Sequence, residues 1–350
     1  MRLLPPASLL DVLRGRAPLV GSRTDPARPR GYVSPVEPRV LLGIAYGDLA
    51  EAEAEYLNHP HGVAEDAGVV VRALLARMQA PRDGAVRPGR PHIVAARVDN
   101  ITIEGAVERI FAPEPMGRAR MVHFVHPHAL NLAAFDADYA ALLADADIIL
   151  PDGVGLRIAA KMLGVALEHN VNGTDLLPLL CARATASARP LILIGGAEGV
   201  ASACADALVR SHPGLRVPFT SHGFLDAAGI ARVEEAVRAH APCVVLVGMG
   251  SPLQERWAWE HLASIPRITV LTVGGLFDFF SGRIPRSPLV WRELGLEWLW
   301  RLRQEPTRLG RRYLLGNPLF LTLAAKQRLF GPNAADRTAN DGPSPDDPTP

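Results

Sequence analysis

LILIGGAEGV, residues 191–200, holds five consecutive apolar or small residues, then a pair of glycines, then the first turn of a helix-like pattern. Apolar side chains on successive positions suit a strand covered on both faces, which is the state of a central parallel strand. The same grammar recurs outward from this stretch. VVLVG (244–248) and ITVLTV (268–273) follow it, and MVHFV (121–125) and DIIL (147–150) precede it. Between these runs lie segments with helical apolar spacing at 129–144, 174–184, 199–210 and 227–239. Strand–helix alternation of this kind predicts parallel strands joined by right-handed crossovers. The expected fold is therefore α/β, a Rossmann-like and mostly parallel sheet with helices on both faces. Three strands end at glycines: Gly195-Gly196, Gly248 with Gly250, and Gly274-Gly275. In open α/β sheets ligands bind beyond the carboxyl ends of the strands, so these turns should share one functional edge.

Four zones surround this pattern. Residues 1–95 are rich in Pro, Arg and Ala, with one strong helix candidate at 63–79 and a Pro/Gly-punctuated linker at 80–92. Residues 96–282 form the α/β core, residues 283–330 a basic, Trp-rich helical appendage, and residues 331–350 a polar tail expected to be disordered. Lys and Arg number 37 against 36 Asp and Glu, so no global field would draw nucleic acid. Three cysteines without a CxxC pair argue against a zinc site or a disulfide framework and fit a reducing cytoplasm. Neither a signal-peptide core nor a transmembrane-length apolar run is found, so any membrane contact is expected to be peripheral.

Several motifs fall at the expected ligand edge. LPDGVG (150–155) sets Asp152 directly after a strand, ahead of two glycines; it fits a general base and an ordinary Asp-Gly turn alike. In VHFVHPHALN (122–131), His126 and His128 follow a strand that would lie beside that of Asp152; polar contact to substrate and structural hydrogen bonding are both open, and metal ligation lacks a carboxylate at suitable spacing. NGTDLL (172–177) reads as a helix N-cap whose Asn172, Thr174 and Asp175 are also candidates for a ligand hydroxyl. GMGSPLQERW (248–257) puts Gln254 and Glu255 in a first helical turn, where an amide suits a nucleobase or sugar. Asp278, in GGLFDFF, lies near the same edge. The turn at Gly195-Gly196 suits a phosphate cradle or an unliganded turn, and it has neither GxGxxG nor GKS/GKT spacing.

Residues 283–330 carry ten basic residues against three acidic ones, interleaved with Trp291, Trp298 and Trp300. Arg301, Arg308 and Arg311 are spaced to share one helix face, with Pro306 a point of kinking. Such a segment fits an anionic interface, a lipid diphosphate, or a plain basic surface.

The ordered set HPHALN, ADIILPDGVGLRIAAKMLG, NGTDLL, LILIGGAEGVA, VVLVGMGSPLQERW, VGGLFDFFSGRIPRSP and LGLEWLWRLRQEPTRLGRRYL, spanning about 96–321, resembles the WecG/TagA/CpsF glycosyltransferases, glycosyltransferase family 26. The resemblance implies an inverting transfer from a UDP-sugar, often of N-acetylmannosamine type, to a polyprenyl-diphosphate-linked sugar. It implies no metal or other cofactor, a place at the inner face of the plasma membrane, and room for a small homo-oligomer. Asp152 matches the family's proposed catalytic aspartate, and Gln254 and Asp278 match polar pocket residues. Gly195 and Gly196 match the donor-side glycine turn, and Gly248, Gln254 and Glu255 are expected to join them at the donor nucleotide. Arg301, Arg308 and Arg311 match arginines of an appendage thought to close over the site and meet the lipid diphosphate. One stretch departs: the family's Thr-x-Asn-Pro reads Phe124-Val125-His126-Pro127.

The zone before the core, LPPASLLDVLRGRAPLVGSR (4–23) and GIAYGDLAEAEAEYLNHPHGVAEDAGVVVRALLA (43–76), resembles the C-terminal end of bacterial polyprenyl-phosphate sugar-phosphate transferases. Arg2 and Leu3 stand where that family has an Asp-Glu pair, so a fusion remnant without that activity is expected. Two rival functions remain at this level: an NAD-dependent oxidoreductase, from the sheet and glycine turns, and a non-catalytic sugar-nucleotide-binding scaffold.

Overall fold

A computed structural model describes residues 3–42, 48–60, 62–80, 85–113, 115–288, 291–292 and 294–331. The tail expected to be disordered lies, from 332 onward, outside the described residues, as do 81–84 of the linker.

The strands are β1 (His92–Ile93), β2 (Ala96–Arg97), β3 (Arg120–Val125), β4 (Ile148–Pro151), β5 (Leu191–Gly195), β6 (Phe219–Ser221), β7 (Cys243–Gly248) and β8 (Ile268–Thr272). β3 to β8 form one sheet in the order β4-β3-β8-β7-β5-β6, every neighbouring pair parallel. β1 and β2 make a separate antiparallel pair. The five strands expected from apolar runs are all present. β6 escapes that reading because Phe-Thr-Ser is short and only partly buried, as an edge strand can be.

Helices cover both faces. One face buries Leu176, Leu180, Cys204 and Leu208 against Val122, Leu193, Val244 and Leu271. The other packs Val233, Val237, Ala258 and Leu262 against Ile192, Val245 and Val270. The single helix expected over 129–144 is two, Pro127–Phe135 and Ala137–Ala144. Asp136 separates them: extended, it ends the first and caps the second, accepting from the Tyr139 amide at 3.0 Å.

Among the described residues, the zone 283–330 includes the helices Glu297–Gln304, Pro306–Leu314 and Gly316–Phe330. The last belongs to the core, burying Phe320 and Ala324 among Leu130, Leu156 and Ala160. The first two are pinned to each other by Trp298 and Tyr313, edge to face at 5.9 Å.

The zone before the core folds around Val20, Val33, Val69 and Ala73. Its second centre is Glu53, 1% exposed, which accepts from the hydroxyls of Ser22, Ser34 and Thr24 and from the amides of Arg23 and Thr24. Burial alone would raise its pKa; the hydrogen bonds outweigh that and hold it below the usual carboxylate value. Glu37 ties the unit further by pairing with Arg23 at 2.9 Å and Arg77 at 2.7 Å.

Candidate active site

Asp152 is the first residue past β4, and its amide is fixed by the Val125 carbonyl of β3 at 2.8 Å. The chain then turns through Gly153, whose φ of +95° is open to glycine but strained for other residues, and enters the helix Val154–Leu163. Gly155 is needed for a different reason. A Cβ there would come within 2.5 Å of Pro127, at the start of the helix that follows β3. These two glycines let a helix begin directly behind the Asp152 carboxyl, with its positive end close to that group.

The carboxyl lines a cavity of about 580 Å³ shared with His126, His128, Asn172 and Asp175 of the sequence expectations, and with Arg301. Glu297, Arg312 and Arg157 join them. Burial pushes the Asp152 carboxyl up to about 7; the nearby Glu297 charge adds to the rise, while Arg301 and Arg312 oppose it. Glu297 is itself raised by burial, against the pull of Arg286 and Arg301. A carboxyl that titrates near neutral pH, lining a cavity beside cations, is matched to accepting a proton from a hydroxyl.

His126 caps the helix Pro127–Phe135: its Nδ1 accepts from the Ala129 amide at 3.0 Å, which puts the ring proton on Nε2. Burial first, then Arg312 and His128, hold its pKa well below the usual histidine value. The ring stacks on His128 at 6.1 Å between centroids. His123 lies inside the sheet with Nδ1 2.9 Å from the Thr272 hydroxyl, and burial lowers it to about 4.

Asn172 caps the helix Gly173–Ala186 through the Asp175 amide at 2.9 Å, and its side-chain amide donates to the Asp175 carboxylate at 2.6 Å. Thr174, 8% exposed, donates its hydroxyl to Asn172 at 2.7 Å and does not line the cavity. Asp175 also pairs with Arg286, so the cap anchors the segment leading to the terminal helices.

The other expected residues lie elsewhere on the edge. Gly195 is four strands from β4, a distance of about 19 Å at the usual strand spacing. The Gly196 amide is spent on the Gly248 carbonyl at 2.9 Å, so it cannot also cradle a phosphate. Gly195 is glycine because a Cβ would meet that same carbonyl at 2.2 Å. Gln254 is 3% exposed and faces inward: its Oε1 accepts from the amides of Gly250 at 3.1 Å and Gly274 at 2.9 Å, and its Nε2 donates to Glu255 at 2.7 Å. It clamps the turns after β7 and β8 together, in place of the expected contact with a base or sugar. Glu255 is fully buried, and burial raises its pKa.

Between the two regions sits the turn after β8. A Cβ on Gly275 would lie 3.5 Å from Asp278, 3.7 Å from Arg301 and 4.0 Å from Arg308. Asp278 holds Arg283 at 3.3 Å, and Arg308 pairs with Glu305 at 2.6 Å. Arg311 is exposed and does not line the cavity. The helix breaks at Glu305–Pro306, so the spacing that joined Arg301, Arg308 and Arg311 on one face does not carry across it, and Arg312 takes the inward position.

Sequence reasoning missed Arg157, Glu297 and Arg312. Arg157 left a signal, a charged residue among the apolar positions of LRIAAKML. Its Nη1 is buried with no hydrogen-bond partner among the described residues, and burial lowers it to about 10. Glu297 left a weaker one, as one of three acids in a strongly basic segment.

A family model described as the glycosyl transferase WecG/TagA/CpsF family matches residues 91–334. An N-acetylglucosaminyldiphosphoundecaprenol N-acetyl-beta-D-mannosaminyltransferase of Bacillus spizizenii is 31% identical over 188 residues, which are 54% of this chain and 72% of that protein. A protein of the same name from Staphylococcus aureus strain MW2 is 28% identical over 239 residues, 67% of this chain and 92% of its own length. With the parallel sheet, the carboxyl-edge cavity and a match over more than half its length, the chain belongs to the WecG/TagA/CpsF family of glycosyl transferases.

Proposed function

We propose that the protein transfers a sugar from a UDP-sugar to a sugar carried on a polyprenyl diphosphate, with inversion, and that Asp152 is the general base. The acceptor hydroxyl attacks the anomeric carbon and gives its proton to Asp152. The bond from that carbon to the diphosphate breaks, and its electron pair leaves on phosphate oxygen. The observation that carries the reading is a carboxyl pushed up to about 7 inside a cavity it shares with Arg301 and Arg312. The relatives' names supply the acceptor class and one sugar, N-acetylmannosamine; its uronic acid and a hexose are the other donors to be tried.

The donor lies along the strand ends. Its sugar sits over β4 and β3 beside Asp152, within reach of His126, His128 and Asn172. Its diphosphate sits beside the turn after β8, against the guanidinium groups of Arg301 and Arg308 that gather near Gly275. The nucleoside extends toward Gly248, Gly195 and Gly196. The arginines then meet the charge that develops on the leaving phosphate. The gly-gly turn after β5 lacks the spacing of a dinucleotide fingerprint, and no observation favours the oxidoreductase reading.

Among the described residues no helix is long and apolar enough to cross a membrane. The lipid-linked acceptor in the relatives' names supports action from the side of the bilayer, at its cytoplasmic face. The deciding experiment is a panel of UDP-sugars offered with an N-acetylglucosaminyl-diphosphate lipid. Asp152→Asn should lower kcat by roughly 100- to 10,000-fold while UDP binding, measured by calorimetry, persists. Turnover at the original rate in that variant removes Asp152 from the chemistry.

A further inference from the structure

The helix Val63–Gln79 lies outside the family match, yet it ends on the cavity. Gln79 lines the cavity, with its Oε1 buried and unpartnered, and Leu42 of the same N-terminal unit lines it too. The contact is built: Gln79 Nε2 donates to the Leu294 carbonyl at 3.4 Å, and the Lys161 ammonium donates to the Met78 carbonyl.

The outward face of this helix has an unusual composition. At about 100° per residue, the positions within a sector of roughly 140° are 63, 64, 67, 68, 71, 74, 75 and 78. Val63, Val71, Leu74, Leu75 and Met78 supply the large side chains, and Ala64, Ala67 and Gly68 lie between them. All eight are exposed; Val63 is 88% and Met78 72% accessible. The charged residues of the helix, Glu65, Asp66, Arg72 and Arg77, all fall off this sector. Its inner face is already used, with Val69, Ala73 and Ala76 buried. A helix that is apolar on both faces and charged only along the seams has a second apolar environment to fill.

We propose that this outer stripe docks in lipid and delivers the isoprenoid chain of the acceptor to the cavity. Three observations choose lipid over a protein partner. The stripe runs without a charged interruption to Gln79 at the cavity wall. The C-terminal helices contribute exposed Leu314, Leu315 and Leu319, and Leu314 lines the same cavity. Arg311 of the terminal helices is exposed and suited to a headgroup phosphate. The described part of the N-terminal unit thus acts as the lipid-facing side of the acceptor site. The inference rests on the lipid-linked acceptor proposed above, but its test does not need turnover.

The test is co-flotation with neutral phosphatidylcholine vesicles at high salt, where the arginine contribution is screened. The wild-type protein should float. Val71→Gln, Leu74→Gln and Met78→Gln combined should reduce binding about tenfold or more with no loss of helix content, since all three side chains are exposed. The same variant should lose about tenfold in kcat/KM for a long-chain acceptor relative to a short-chain soluble one. Equal flotation of variant and wild type overturns the proposal. So does a variant that still floats but shifts from oligomer to monomer in sedimentation, because the stripe would then be a contact between copies. A protein that floats as expected but transfers no sugar leaves this inference standing and refutes the function above.

Discussion

Asp152 was legible as a carboxylate at a strand end, because an Asp followed by glycines after an apolar run has one place to go in a parallel sheet. What sets its proton affinity was not legible. Glu297 and Arg312 stand well over a hundred residues further on and reach it only through the packing of the terminal helices. Their influences have opposite signs, which makes them separable. Activity that needs the deprotonated base rises with pH through about 7. Removing a raising influence by Glu297→Gln should move that limb of the kcat/KM profile to lower pH. Removing a lowering one by Arg312→Gln should move it to higher pH. Shifts in the same direction would show that neither charge acts on Asp152. Arg157 poses a different question. It is desolvated, and among the described residues no carboxylate neutralises it. A guanidinium kept in that state lowers the stability of the empty protein, and replacing it by an apolar side chain of similar length should raise stability on the order of 1 kcal/mol. Arg157→Met should therefore raise Tm in the absence of substrate and raise the KM for at least one substrate. A lower Tm would mean that the side chain is structural.

At the scale of elements, period and composition located every long strand, because burial on both faces leaves an unbroken apolar run. They did not locate the partners of the turns. GMGSPLQERW reads as a ligand loop, since an amide at the carboxyl edge is a reasonable donor to a base. In the fold, Gln254 looks inward because two neighbouring turns each leave an amide without an acceptor, and one side-chain carbonyl serves both. Gly195, Gly196 and Gly248 are explained by backbone approaching backbone at the same place. Gln254→Ala would take the shared acceptor from the amides of Gly250, an exposed residue, and half-buried Gly274 and cost on the order of 2 kcal/mol. Urea denaturation checks this, and a change below about 1 kcal/mol would return Gln254 to the list of ligand contacts. The arginine spacing failed for a related reason. Helical periodicity is a statement about one continuous helix, and Pro306 begins a new one, which turns Arg312 toward the cavity and Arg311 away.

The whole molecule joins two regions in which particular buried carboxyls are shifted in opposite senses. In the core, Asp152, Glu255 and Glu297 are raised, each chiefly by burial, so protonation relieves an unfavourable charge. In the N-terminal unit Glu53 is lowered, because it accepts from Ser22, Ser34, Thr24 and the Arg23 amide as a carboxylate. A lowered carboxyl contributes stability that is present above its unfolded pKa of about 4.5 and is lost as pH falls through the lower folded value. Mild acid should therefore loosen residues 3–80 while the sheet holds. None of this was legible beforehand, since Glu53 reads as one more charge in the helix LAEAEAEYLN and nothing local marks it as buried. Limited digestion with pepsin between pH 5 and 3 would place the first cuts before residue 80 and spare the segment from β3 onward. Glu53→Gln should give the same early cuts with trypsin at neutral pH, because a neutral amide cannot accept all of those hydrogen bonds. First cuts within β3 to β8 would mean that the two regions unfold as one, and that Glu53 does not govern the order in which the molecule comes apart.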